Sequence, residues 1–188
     1  MIVLGGDAGT NGAVALLELA TGNRPHVLLG WAPLKTGRPL RYDGSRLHER
    51  VREVLGGRTP DAVYLEAALS LPRDDGQRRR RANRYGQSVG ELRASLGAVT
   101  GLSVQEVQAG AWMAALGMRY TRPHGLTDDA WSRERKRRIH RDLQHRVEGM
   151  QGWPGTRRMD QVPVYAADAV GVAVYGVLEM RLRRRLSA

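Results

Sequence analysis

The first thirty residues constrain the fold most. Ile2-Val3-Leu4 is an apolar run that enters Gly5-Gly6-Asp7, and Gly9-Thr10-Asn11-Gly12 follows as a turn. Ala13 to Leu19 is a second apolar run, Gly22-Asn23-Arg24-Pro25 a second turn, and Val27 to Trp31 a third run. A parallel connection needs a crossover of a dozen or more residues, so connections this short predict an antiparallel meander of three strands. Further on, Leu47, Val51, Val54 and Leu55 recur at helical spacing and stop at Gly56-Gly57. Pro60 precedes a strong strand, Ala62 to Glu66, and Leu71 to Arg84 reads as a loop or helix start. Val89, Leu92 and Leu96 mark a helix running from Arg84, Leu102 to Val107 a strand, and Ala111 to Leu116 a short helix. Asp128 or Asp129 caps a basic helix from Ala130 to about Glu148, and Gly149 to Asp160 reads as a loop. Pro163 stands in the first turn of a last helix with Val164, Ala167, Val170, Val174 and Leu178 on its apolar side. The order βββαβαβα(α)α predicts an α/β fold, a mixed sheet with helices on its faces, as one domain over 1–180 with a basic tail at 181–188.

Charge points to the partner. Thirty Lys+Arg face nineteen Asp+Glu in 188 residues, a net charge of +11, and only Lys35 and Lys136 are lysines. A small basic domain suits a polyanion, with nucleic acid first, and arginine binds phosphate as a planar fork. With no cysteine, disulfides, zinc–thiolate sites and cysteine catalysis are excluded. No apolar run reaches the ~18 residues of a membrane span. With no secretory leader either, the expected location is the cytoplasm, or the host cytoplasm if the source is viral.

Three carboxylates sit at the ends of elements or inside apolar ones. Asp7 follows the first strand, Glu66 ends the strongest strand, and Asp168 interrupts the apolar Tyr165-Ala166-Ala167-Asp168-Ala169. Adjacent parallel strands would bring Asp7 and Glu66 side by side, and a helix crossing that edge would add Asp168. Carboxylates crowded in this way repel, and a divalent cation removes the repulsion. All-oxygen ligation favours Mg2+ or Mn2+. Each residue also has a purely structural alternative: a turn cap for Asp7, an arginine partner for Glu66, a core salt bridge for Asp168.

In these residues the chain resembles the RuvC-type Holliday-junction resolvases of the RNase H-like superfamily. The resemblance rests on the ordered set Leu4-Gly5-Gly6-Asp7-Ala8-Gly9-Thr10-Asn11-Gly12, Val63-Tyr64-Leu65-Glu66, Arg84-Tyr85-Gly86-Gln87-Ser88-Val89-Gly90 and Ala166-Ala167-Asp168-Ala169, spread from residue 2 to about 178. It implies an RNase H-like mixed five-stranded sheet, antiparallel in its first three strands and flanked by helices. It also implies a homodimer that binds four-way DNA junctions and makes paired symmetric nicks with Mg2+ or Mn2+, two ions per active site. By motif match Asp7, Glu66 and Asp168 take the catalytic and metal-binding positions. The bacterial pattern carries a further aspartate three residues before the last one, where this chain has Tyr165. Tyrosine is protonated at neutral pH and a poor ligand for magnesium. Asp160 is the nearest substitute, about 80° around an extended helix from Asp168 at ~100° per residue. A helix cap is the alternative for Asp160, and Asp128, Asp129 or a water could fill the place instead.

The arginine clusters then acquire roles by resemblance. Arg78-Arg79-Arg80-Arg81 precedes helix 84–97, in the neighbourhood that enters the junction; a solvated loop is the alternative. Leu69, Leu71 or Tyr85 could supply apolar contact there, since the chain has no Phe. Arg133, Arg135, Lys136 and Arg137 lie on the basic helix beside the implied active site, and one of Arg133, Arg135 and Lys136 would hold the scissile phosphate. A solvated helix with internal Glu–Arg pairs is the alternative. His124 and His140 are candidate proton carriers or ordinary surface residues. Gly86, Gly90 and the small face of that helix suit either a dimer interface or packing within one chain. An RNase H-like nuclease of other branched-DNA or RNA–DNA hybrid specificity, or a binding module without catalysis, are the alternative functions. No sequence feature identifies a helicase partner or a preferred cleavage sequence.

Overall fold

The computed structural model describes residues 1–9, 12–20, 25–36, 41–42, 44–67, 76–150 and 162–187, with 35–36, 41–42, 44–45 and 76–84 described by their backbone alone. The strands are β1 (Ile2–Asp7), β2 (Ala13–Glu18), β3 (His26–Pro33), β4 (Lys35–Thr36), β5 (Arg41–Tyr42), β6 (Ala62–Ala67), β7 (Val104–Gln108) and β8 (Val147–Glu148). The helices are α1 (Gly44–Leu55), α2 (Gly76–Thr100), α3 (Ala109–Ala115), α4 (Asp128–Gln144) and α5 (Ala167–Leu186). A 3-10 turn, Val164–Ala166, leads into α5.

The main sheet runs β7-β6-β1-β2-β3-β8. The first three strands pair antiparallel, as their short turns require. β6 joins β1 in parallel and β7 joins β6 in parallel, each after a helical crossover. The sheet has six strands rather than the expected five. The addition, β8, pairs only His26 with Val147 and Val27 with Glu148, too short a segment to leave an alternating pattern. β4 and β5 form a separate two-stranded ribbon.

Two apolar layers cover the sheet. Alternation along the strands sends Leu4, Val14, Leu16, Val63 and Leu65 to one face, under α1 and α2. It sends Val3, Ala15, Leu17 and Tyr64 to the other face, under α5, with α3 and α4 outside. Helix α5 is buried from Ala167 to Val174 because it is enclosed between the sheet and α4. It crosses β1 at close range: a Cβ on Gly5 would stand 2.4 Å from the Ala169 carbonyl oxygen and 2.6 Å from the Ala173 nitrogen. Glycine at that position is what allows the contact.

Three boundaries differ from the sequence reading. Helix α2 starts at Gly76 rather than at Arg84, so of the two readings for Leu71 to Arg84 the helix start holds for the arginine run 78–81. Arginine is a strong helix former, but four in a row leave no apolar period to read. Helix α4 ends at Gln144, ahead of β8. The basic tail is not separate, since Arg181 to Arg185 continue α5, and Arg181 donates to the Ala20 carbonyl at 2.7 Å. No helix among the described residues is long and apolar enough to cross a membrane.

Candidate active site

Asp7 is the last residue of β1, and the parallel register pairs Gly6 with Leu65 on β6. Asp7 and Glu66 are the next residues on their strands and stand side by side. Alternation puts Asp7 on the face of Val3 and Gly5, and Glu66 on the face of Tyr64, so both lie under α5. Asp168 is in the first turn of α5, beside the Ala169 that touches Gly5. Close packing of α5 on β1 thus carries the third carboxylate over the ends of the two strands. Asp7 is 3% exposed and Asp168 8%, the only charged residues in the core among the described residues.

The turn after β1 holds Asp7 in place, because the Gly9 amide donates to Asp7 Oδ1 at 2.7 Å. Glu66 Oε2 accepts from the Trp112 indole Nε1 at 2.9 Å. Lys136 Nζ is 2.6 Å from Asp168 Oδ2. Lys136 reaches inward because it shares a helical face with Ile139 and Leu143, the buried residues of α4. Arg133 and Arg137 are exposed on the same helix, and Arg137 and Arg138 are paired with Glu134. His140 Nε2 donates to the Val162 carbonyl at 2.8 Å, which ties α4 to the segment leading into α5. That is an anchoring contact, and His124 is exposed.

The charges are coupled. Burial pushes the Glu66 carboxyl up to about 8, and the negative charges of Asp7 and then Asp168 add to it. The Trp112 bond and the Lys136 ammonium pull the other way. For Lys136 burial works to lower the pKa, but Asp168, with Asp7 and Glu66, leaves it raised. Tyr85 reaches the strand ends from α2; burial, then Asp7, Glu66 and Asp168, raises its hydroxyl. One tyrosine and one lysine each sense all three carboxylates, so the three groups lie within electrostatic reach of one another.

Among the described residues no three acidic or histidine side chains stand close enough together to hold a metal ion as they are placed. The donor chemistry nevertheless fits a hard divalent cation. Three oxygen donors are crowded until one is driven toward its neutral form, and the Lys136 ammonium on Asp168 offsets part of that charge. Asp160 lies outside the described residues, as do Leu69 and Leu71, and for Arg78 to Arg81 only the helical backbone is described. Tyr165 packs edge-on to Trp31 with ring centroids 6.3 Å apart. Trp112 was missing from the sequence reading. No local pattern marks it, because its role depends on α3 folding back onto β6.

No known family and no curated protein matches the sequence. Solved structures do match the fold. RuvC of T. thermophilus in complex with a Holliday junction substrate superposes with a TM-score of 0.62 at 21% identity, covering 97% of this chain and 96% of that one. The fold is the RuvC fold. A Thermus thermophilus RuvC structure gives a TM-score of 0.60 at the same 21% identity, with 97% and 96% coverage. The match spans nearly the whole of both chains, so the RuvC-type RNase H-like architecture expected from the motifs is the one observed, with β8 added at its edge.

Proposed function

We propose that this chain is a divalent-metal-dependent endonuclease that resolves four-way DNA junctions by paired symmetric nicks. The observation that supports this best is the convergence of Asp7, Glu66 and Asp168 from two adjacent parallel strands and the helix packed across them. The RuvC fold and a net charge of +11 agree with it.

In this reading Asp7, Glu66 and Asp168 hold Mg2+ or Mn2+, and Asp160 completes the set in place of Tyr165. When bound, two such ions supply Lewis acidity for the attacking water and charge stabilisation at the leaving 3′-oxygen. Trp112 fixes the orientation of Glu66 through its indole N–H. Lys136 screens Asp168 in the free protein and is placed to take a non-bridging phosphate oxygen when DNA enters. The hydrolysis leaves a 5′-phosphate and a 3′-hydroxyl, with no covalent enzyme intermediate.

Arg78, Arg79, Arg80 and Arg81 occupy the first turns of α2 and contact converging phosphates. Arg133, Arg135 and Arg137 extend that contact along α4. Gly86, Gly90 and Ala94 form an exposed small-residue stripe on α2, and a Cβ at either glycine meets nothing within 4 Å among the described residues. We assign this stripe to the two-fold contact of a homodimer. The dimer places two active sites on one junction.

A synthetic four-way junction, assayed beside hybrid, flap and linear duplexes with Mg2+ or Mn2+, tests the activity. Symmetric nicking of the junction is expected. Preferential cutting of the hybrid would reject resolution. Asp7→Asn is expected to abolish cleavage and keep junction binding, and full cleavage by this variant would reject the metal site.

A further inference from the structure

A concavity opens between two helices that also send side chains to the carboxylates. It has a volume of about 280 Å³ and lies between α3, the segment 118–121 and α4. The same helices serve the active site: α3 gives Trp112 to Glu66, and α4 gives Lys136 to Asp168. Their sequence neighbours Met113 and Arg135 turn into the cavity.

The lining combines three kinds of chemistry. Trp131 offers an aromatic plane, with the Arg138 guanidinium 5.8 Å from its ring centroid. Met113 and Met118 give a polarizable apolar surface. Arg135 has no ion pair among the described residues, and its Nε is buried without a hydrogen-bond partner. A buried donor left unpaired is costly, so the site lacks an acceptor. Tyr120, also in the lining, has its hydroxyl committed to Asp142 Oδ2 at 2.5 Å and serves as a fixed wall. A flat ring beside a planar cation, thioethers and an unanswered N–H matches a nucleobase carrying ring carbonyls and an adjoining phosphate.

We propose that this cavity receives one extruded nucleobase of the DNA strand flanking the scissile phosphate, stacked on Trp131, with Arg135 donating to its carbonyl or neighbouring phosphate oxygen. The inference rests on the nuclease reading for the identity of the strand. Where the arms of a junction open, the bases at the exchange point lose a stacking neighbour, which lowers the cost of extruding one. Capture of one base next to the cut would fix the register of the scissile phosphate against Asp7, Glu66 and Asp168.

The test uses four-way junctions that carry an abasic site at each nucleotide around the exchange point in turn. Binding is measured with the Asp7→Asn variant of the 188-residue chain, and cleavage with the parent. Removing the captured base is expected to weaken binding by roughly 5- to 150-fold at one position, the range for one base stacked on an aromatic side chain. Gly110→Leu, which extends a side chain from the cavity lining where an added Cβ meets nothing within 4 Å, should erase that sensitivity. Trp131→Ala should erase it too, and circular dichroism checks that each variant is folded. Uniform binding across the series, or full sensitivity retained in both variants, would overturn the proposal. Base-sensitive binding without cleavage by the parent would reject the nuclease and leave the pocket standing. Cleavage with no base sensitivity does the reverse.

Discussion

Replacing Gly5 by alanine tests how the third carboxylate is positioned. An added Cβ would sit 2.4 Å from the Ala169 carbonyl oxygen, 2.6 Å from the Ala173 nitrogen and 2.8 Å from the Ala173 Cβ, where ordinary contact begins at 3.4 Å. The shortfall is about 1 Å, and two of the three atoms are backbone, so no side chain can rotate out of the way. Helix α5 must lift from β1 or the strand must bow. Overpacking of this kind costs about 1–3 kcal/mol. For a chain of this length that lowers the unfolding temperature by about 2–12 °C. The lift falls beside Asp168, and a displacement of ~1 Å at a catalytic group costs on the order of 100-fold in rate. Thermal unfolding by circular dichroism and single-turnover cleavage of a four-way junction read the two effects. Gly176→Ala is the comparison: its Cβ meets the Tyr64 ring at 2.4 and 2.6 Å, but it lies about 12 Å along α5 from Asp168. It should lose stability and keep most of its cleavage rate. If Gly5→Ala unfolds within about 1 °C of the parent and cuts at the parental rate, the account of α5 placement is wrong.

Three further expectations follow from the charges. Without divalent cations, Glu66 keeps its proton in the folded state up to about pH 8 but loses it near 4.5 when unfolded, so its contribution to stability is full below 4.5 and is lost as pH rises through that window. Mn2+ should flatten the slope, and unfolding temperatures between pH 5 and 8 that are flat without metal would contradict the coupling. Trp112→Phe removes the indole bond that lowers the Glu66 pKa, so the rising limb of the pH–rate profile should move to higher pH; an unmoved limb would deny Trp112 that role. Lys136→Met removes the internal cation on Asp168, so calorimetry should find tighter Mn2+ binding while cleavage slows, and weaker binding would mean the lysine does not compete with metal.

Much of the strand framework was legible from residues near in sequence. The meander follows from turns too short for a crossover, and alternation alone places Asp7 and Glu66 at strand ends. Asp168 stood out because a carboxylate in an apolar helix needs a reason. The basic cluster at 133–138 was visible as a group, but its members are equivalent in sequence. Only the packing of α4 on α5 through Ile139 and Leu143 selects Lys136 for the carboxylates and leaves Arg133 and Arg137 exposed. The small face of α2 could have been an internal seam, and the tertiary structure turns Gly86 and Gly90 outward.

The sequence by itself therefore determined the three-strand meander, the carboxylates at the ends of strands and the excess of positive charge, because periodicity, turn length and charge act over a few residues. The tertiary structure alone decided that Trp112 would hold Glu66 and that Gly5 would let α5 descend onto β1. It also set Trp131 and Arg135 of α4 opposite Gly110 and Met113 of α3 around one cavity. These contacts join residues tens of positions apart, and their free energy exists only once helices and sheet are packed.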